Sequence, residues 1–185
     1  MTRLFIAIAL FCFAVPAALA VPPAGQGPSG GPSATPSASK LCKQQRNAIG
    51  MSAFRALYAP TGTPKAAMDA CLVRYVQVTS AAGKNAAKVC KAELAEPNFA
   101  VGHGNMSFAE FYGRNDNDKN AFGKCVSMHT TDQVEAQQEA TLSAAKQCKS
   151  LRASNAAAFN AAYGTKKNAF GKCVSKLAKE QGSSS

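Results

Sequence analysis

Three stretches of the chain place four residues at i, i+3, i+4 and i+7: Met68, Cys71, Leu72 and Tyr75; Phe122, Cys125, Val126 and His129; Phe170, Cys173, Val174 and Leu177. That spacing lays each set along one stripe of a 3.6-residue helix, with a Cys on the face turned toward a core. Alternating, strand-like runs are absent, and Ala, a strong helix former, is spread along the whole chain. The pattern predicts an all-α protein.

The stripes belong to an internal repeat. Lys119-Asn-Ala-Phe-Gly-Lys-Cys-Val-Ser127 recurs unchanged as Lys167 to Ser175, and Lys65-Ala-Ala-Met-Asp-Ala-Cys71 is a worn third copy. Upstream of each copy stands Phe-x-x-x-Tyr, at Phe54/Tyr58, Phe108/Tyr112 and Phe159/Tyr163. Further upstream stands Lys-x-Cys-Lys, centred on Cys42, Cys90 and Cys148. Recurrence at this period marks tandem structural units. The reading is three tandem short-helix units, residues 40–79, 80–130 and 131–181, with about three short helices in each.

Capping residues support the helix starts. Thr63, Asn117 and Thr165 each precede a second Cys by eight residues, and Pro64 follows Thr63 at the first helical position. Ser52, Ser107 and Ser154 are placed to cap the Phe-x-x-x-Tyr helices, and Ser107 with Glu110 has capping-box spacing. Gly113 and Gly164 follow the Tyr and supply a stop.

The first 20 residues read as an export signal: Thr2 and Arg3, an apolar run from Leu4 to Val15, Pro16, then Ala18-Leu19-Ala20 as a cleavage site. Cys12 leaves with it, and six Cys remain. An even set in an oxidising compartment, without a Cys-x-x-Cys, points to disulfides rather than a zinc site. Fifteen pairings are formally possible. The simplest is within units: Cys42 with Cys71, Cys90 with Cys125, Cys148 with Cys173. Residues 21–39 hold five Pro, four Gly and four Ser and no charge, which suits a flexible tether. Residues 182–185 read as a disordered tail. No later segment is long and apolar enough to span a bilayer once the signal is removed.

The chain of 185 residues carries 21 Lys and Arg against 10 Asp and Glu. Residues 40–89 have net charge +7, residues 90–147 net −3, and residues 148–185 net +6. Lys40/Lys43, Lys88/Lys91 and Lys146/Lys149 flank the first Cys of each unit at i, i+3, so each pair shares a helix face. These six are the candidate anion-binding residues. A dedicated nucleic-acid groove is not expected, because the basicity falls in two blocks, is mostly Lys, and the aromatics lie on core stripes.

Cys90-Lys-Ala-Glu93, Pro97-x-Phe99-Ala with Gly102-His103-Gly104, Ser107-Phe-Ala-Glu-Phe-Tyr-Gly113 and the Asn-Ala-Phe-Gly-Lys-Cys-Val-Ser copies resemble a group of secreted actinobacterial proteins built from tandem units of that kind. The resemblance covers the second and third units well and the first weakly. It implies an exported protein at a Gram-positive cell exterior, and it assigns no activity and no site residue.

Candidate catalytic groups are few. His129 takes the stripe position of Tyr75 and Leu177, which suits a packed or half-buried ring. His103, between two glycines in the insertion of the second unit, is the one residue on which an enzyme reading could rest. Asn115 to Asn120 has oxygen side chains at alternating positions, but it lacks the Gly and the bidentate Glu of a calcium loop. No cofactor and no metal are expected. The function expected from sequence is a secreted or cell-wall-associated, non-enzymatic binding or structural module whose partner is an anionic envelope polymer or an extracellular protein. The alternatives are an extracellular enzyme using His103 and a cationic inhibitory or membrane-active protein. The last would need the exposed apolar face that burial of Phe and Tyr removes.

Overall fold

The computed structural model describes residues 35–113 and 120–182. The export signal, most of the tether, residues 115–119 of the calcium-loop-like segment, with Asn117 and Lys119, and residues 183–185 of the expected tail lie outside the described residues, while Gly182 ends the last helix. The described chain is all-α: eight helices and no strand.

Helix α1, Ala38–Ile49, starts inside the expected tether, because Ser37 caps it by accepting from the Lys40 N–H at 3.3 Å. Leu41, Cys42, Gln45 and Ile49 form its buried face. Gly50, at φ 80° and ψ 157°, turns the chain into α2, Met51–Tyr58. Ser52 therefore lies inside α2 rather than at its cap, since only Gly tolerates the backbone conformation found at the joint. Helix α3, Pro64–Leu94, begins as expected: Thr63 accepts from Ala66 N–H at 3.2 Å and Pro64 holds the first helical position.

The insertion of the second unit forms a single turn, α4 (Phe99–Gly102), followed by α5, Phe108–Gly113. Ser107 and Glu110 make the reciprocal capping box before α5, at 3.3 Å and 2.7 Å. Helix α6 is Ala121–Ser154, α7 is Ala156–Tyr163 and α8 is Ala169–Gly182. Asn155, not Ser154, caps α7, accepting from Ala158 N–H at 2.9 Å. Thr165 caps nothing, because α8 starts four residues later; Lys166 and Lys167 follow Thr165, where Pro64 in the first unit presets the helical φ.

Two helices depart from the expected short lengths. Helix α3 has 31 residues and α6 has 34. Each carries the second Cys of one unit and the first Cys of the next. Residues 76–89 contain no Pro and one Gly, and residues 130–143 contain neither, so nothing interrupts the helix where one unit passes into the next.

Helices α3 and α6 form an antiparallel hairpin: Cys90 near the end of α3 is bonded to Cys125 near the start of α6, and Gly83 faces Thr130. Helix α1 runs parallel to α6, with Thr35 and Thr131 hydroxyls at 3.1 Å and Gln138 donating to Gln44 at 3.4 Å. All three within-unit disulfides are formed, each with its Cα atoms 6.0 Å apart and both Cys fully buried.

The core is divided unequally. Leu41, Phe54, Tyr75, Val134, Phe159, Phe170 and Val174 belong to one cluster, which joins the first and third units. Phe99, Phe108, Tyr112, Ala121 and the Cys90–Cys125 bridge form a second cluster, belonging to the middle unit alone. The long hairpin thus carries the body made by the outer units at one end and the middle unit at the other.

Candidate functional site

Each Phe-x-x-x-Tyr pair adopts the same arrangement, with ring centroids 5.0 Å apart for Phe54/Tyr58, 4.8 Å for Phe108/Tyr112 and 5.0 Å for Phe159/Tyr163. Beside each pair lies a disulfide. Equivalent positions around the three bridges can therefore be compared within one chain, and they differ in chemistry.

The relevant positions are three residues after the first Cys and four after the second. In the first unit they are Gln45 and Tyr75, in the second Glu93 and His129, in the third Leu151 and Leu177. Gln45 is fully buried; its Oε1 accepts from the Tyr58 hydroxyl at 2.6 Å, and its Nε2 has no hydrogen-bond partner among the described residues. Burial pushes the Tyr58 phenol up to about 12 and the Tyr75 phenol up as well. The third unit is apolar at both positions.

Only the middle unit has a carboxylate and an imidazole there. The Tyr112 hydroxyl donates to Glu93 Oε2 at 2.8 Å and lies 3.3 Å from His129 Nε2. His129 Nε2 is 3.1 Å from Glu93 Oε1, and Glu93 Oε2 is 3.5 Å from Cys125 Sγ. The Glu93 and His129 side chains are 21% and 25% exposed, whereas Tyr112 is buried. Burial first, then the Glu93 carboxylate, push the Tyr112 phenol up. One ligand atom each from Cys90, Glu93, Cys125 and His129 lies within 4.8 Å of the others. With the bridge closed the sulfurs are not thiolates, and the group as it stands offers a cation only one carboxylate and one imidazole.

Sequence reading placed His129 on the helix face but missed Glu93. The signal was available in the register of the repeat, as the two positions facing the bridge from opposite helices.

His103 is held in a different place. Its ring stacks on Phe99 at 3.8 Å between centroids and 5° between planes, meets Phe111 edge-on at 4.6 Å, and its Nδ1 lies 2.6 Å from the Phe99 carbonyl. This is the geometry of a packed aromatic, and no carboxylate is among these contacts.

All six repeated lysines are exposed, while the Cys between each pair is fully buried. They are not gathered on one face. Lys88 and Lys91 flank Cys90 at the middle-unit end, and from the level of Cys125 the pair Lys146/Lys149 stands roughly 30 Å away along α6. Lys40 and Lys43 sit on α1 beside the middle of α6. Lys149 also lines a cleft of about 550 Å³ with Arg152, Ile49, Met51, Ala56 and Phe170.

The tertiary arrangement changes the charge picture more than the lysine pairs do. The parts of the chain that build the shared core, residues 38–82 and 134–182, carry 14 Lys and Arg against 4 Asp and Glu. The described residues 83–113 and 120–133, at the other end of the hairpin, carry four of each. Two basic blocks that are distant in sequence become one basic body, and the middle unit is electrically balanced. No helix among the described residues is long and apolar enough to cross a membrane. Comparison with protein-family models, curated proteins and solved structures finds no match.

Proposed function

We propose that this chain is an exported, non-enzymatic binding module that attaches to an anionic polymer of the cell envelope through the basic body formed by its first and third units. The observation that carries the reading is the merging of the two Lys-rich blocks into one packed core. A compact body with so large an excess of cations holds a positive potential over its surface and concentrates on a polyanion. The exposed Lys40, Lys43, Lys146 and Lys149 of this body can meet a flexible polymer without desolvation of a buried charge, and the cleft holding Lys149 and Arg152 gives that surface an apolar recess. Three buried disulfides suit an oxidising exterior, where they persist. The Pro/Gly/Ser-rich arm serves as the tether.

Retention of the oxidised protein on isolated Gram-positive envelope, on DNA and on an anionic resin tests this. The reading expects retention on envelope to survive a moderate rise in salt that releases the protein from the other two, since nonspecific lysine contacts weaken steeply with salt. Equal, salt-labile retention on all three would reduce the basic body to bulk charge and overturn the envelope assignment.

A further inference from the structure

The disulfide of the middle unit is surrounded by a ligand set that the other two bridges lack. The Cys90–Cys125 bridge has the same 6.0 Å Cα separation as its two counterparts. Those counterparts have Gln45 and Tyr75, or Leu151 and Leu177, at the equivalent positions, so a carboxylate and an imidazole are not needed to build the staple. At Glu93 and His129 they are nonetheless aimed at the bridge, bonded to each other at 3.1 Å and oriented by Tyr112.

We infer that the dithiol form of the middle unit is a divalent-metal site of the zinc class, in which Cys90, Cys125, His129 and Glu93 are the four ligands. Metal and disulfide are then alternative staples of the same two helices. Two thiolates, one imidazole and one carboxylate are donors that zinc accepts in a tetrahedral shell, with bonds of about 2.0 to 2.3 Å. Such a shell spaces its ligand atoms roughly 3.3 to 3.8 Å apart by that geometry, so the two sulfurs part to that spacing once their bond is broken, while the carboxylate and imidazole, already within 4.8 Å of them, need to close by at most about an ångström. Two ligands come from the end of α3 and two from the start of α6, each pair one helical turn apart, so both helices are clamped. Tyr112 remains as the outer hydrogen-bond partner of the carboxylate.

The chemistry balances with a thiol reductant. Two R–SH reduce the Cys90–Cys125 bond to two thiols and leave as R–S–S–R; Zn²⁺ then displaces the two thiol protons and forms two Zn–S bonds. The sulfurs are fully buried, while Glu93 and His129 are partly exposed, so the cation enters past the carboxylate and imidazole. The site is independent of the lysine surface at the other end of the hairpin.

The test uses the full chain, oxidised or reduced anaerobically with a phosphine, titrated with Zn²⁺ and with Co²⁺ as a spectroscopic probe. One equivalent is expected to bind the reduced chain, giving the visible bands of tetrahedral cobalt and thiolate-to-cobalt charge transfer, with recovery of helical signal. The oxidised chain is expected to show neither band. The variant E93Q/H129L keeps every Cys and should weaken zinc binding by at least the roughly tenfold that loss of an outer partner alone costs. If the double variant does not fold when oxidised, H129Q provides the same comparison. Binding by the reduced variant as tight as by the parent would mean that cysteines of an opened chain hold the metal, and would overturn the site. So would a reduced parent that takes up no zinc.

Discussion

At the scale of single residues, identical sequence does not mean identical surroundings. The two copies of Asn-Ala-Phe-Gly-Lys-Cys-Val-Ser differ in what they meet: Phe170 and Val174 are buried in the shared core, while Phe122 and Val126 pack half-buried at the edge of the smaller one. The helix face was legible from the periodicity; the depth of burial was not, because it depends on which other unit lies across the interface. Backbone demands were more local. Gly50 has open space around a would-be Cβ, but its φ of 80° is one that only glycine adopts comfortably, and Gly50→Ala should cost about 1–3 kcal/mol. Gly83 lies inside α3, where a Cβ would meet Thr130 Oγ1 at an ordinary 3.8 Å, and Gly83→Ala should stabilise by about 0.5–1 kcal/mol. Opposite shifts in Tm for the two variants, at unchanged helical content, are the expected outcome.

At the scale of elements, caps decided where helices begin only where the local chain agreed with them. Thr63 with Pro64 and Ser107 with Glu110 capped as their spacing indicated, because each satisfies its first-turn N–H groups without outside help. The long helices α3 and α6 were less legible, because repeats suggest boundaries and nothing in residues 76–89 or 130–143 creates one. Their length couples the units mechanically, yet the cores are separate. Replacing Cys90 and Cys125 together with Ala should cost about 2–5 kcal/mol. Its effect should be regional: amide exchange should accelerate over residues 99–113 and the first turns of α6, while residues 38–75 and 140–178 keep their protection. Uniform acceleration across both regions would mean that the two clusters unfold as one.

At the scale of the whole molecule, the antiparallel hairpin sorts charge. The basic body and the balanced middle unit at opposite ends lead to a ranking: changing Lys40, Lys43, Lys146 and Lys149 to Gln should lower retention on envelope polymer more than twice as much as changing Lys88 and Lys91. Equal loss per lysine removed would show that position in the fold is immaterial. The buried phenols set an alkaline limit. Tyr58 is raised to about 12, and Tyr75 and Tyr112 are raised too, in each case chiefly by burial, so the folded chain holds these protons more tightly than the unfolded one, whose phenols titrate near 10. Their contribution is fully present below about pH 10 and is lost as the pH rises through about 12. Tm should fall over that interval, and phenolate absorbance from these three tyrosines should appear together with loss of helix rather than before it.

The all-α class, the threefold repeat and the helix faces that carry the second Cys followed from the sequence by itself, because each rests on a pattern close along the chain that the repeat states three times; the within-unit pairing was the simplest of fifteen, and the fold decided it. Tertiary structure alone decided that the third unit packs on the first, that two basic blocks become one body, and that Glu93 meets His129 across a bridge of 35 residues. Those outcomes depend on how two long helices fold back on each other, and a hairpin register between positions so distant leaves no periodic trace in either segment.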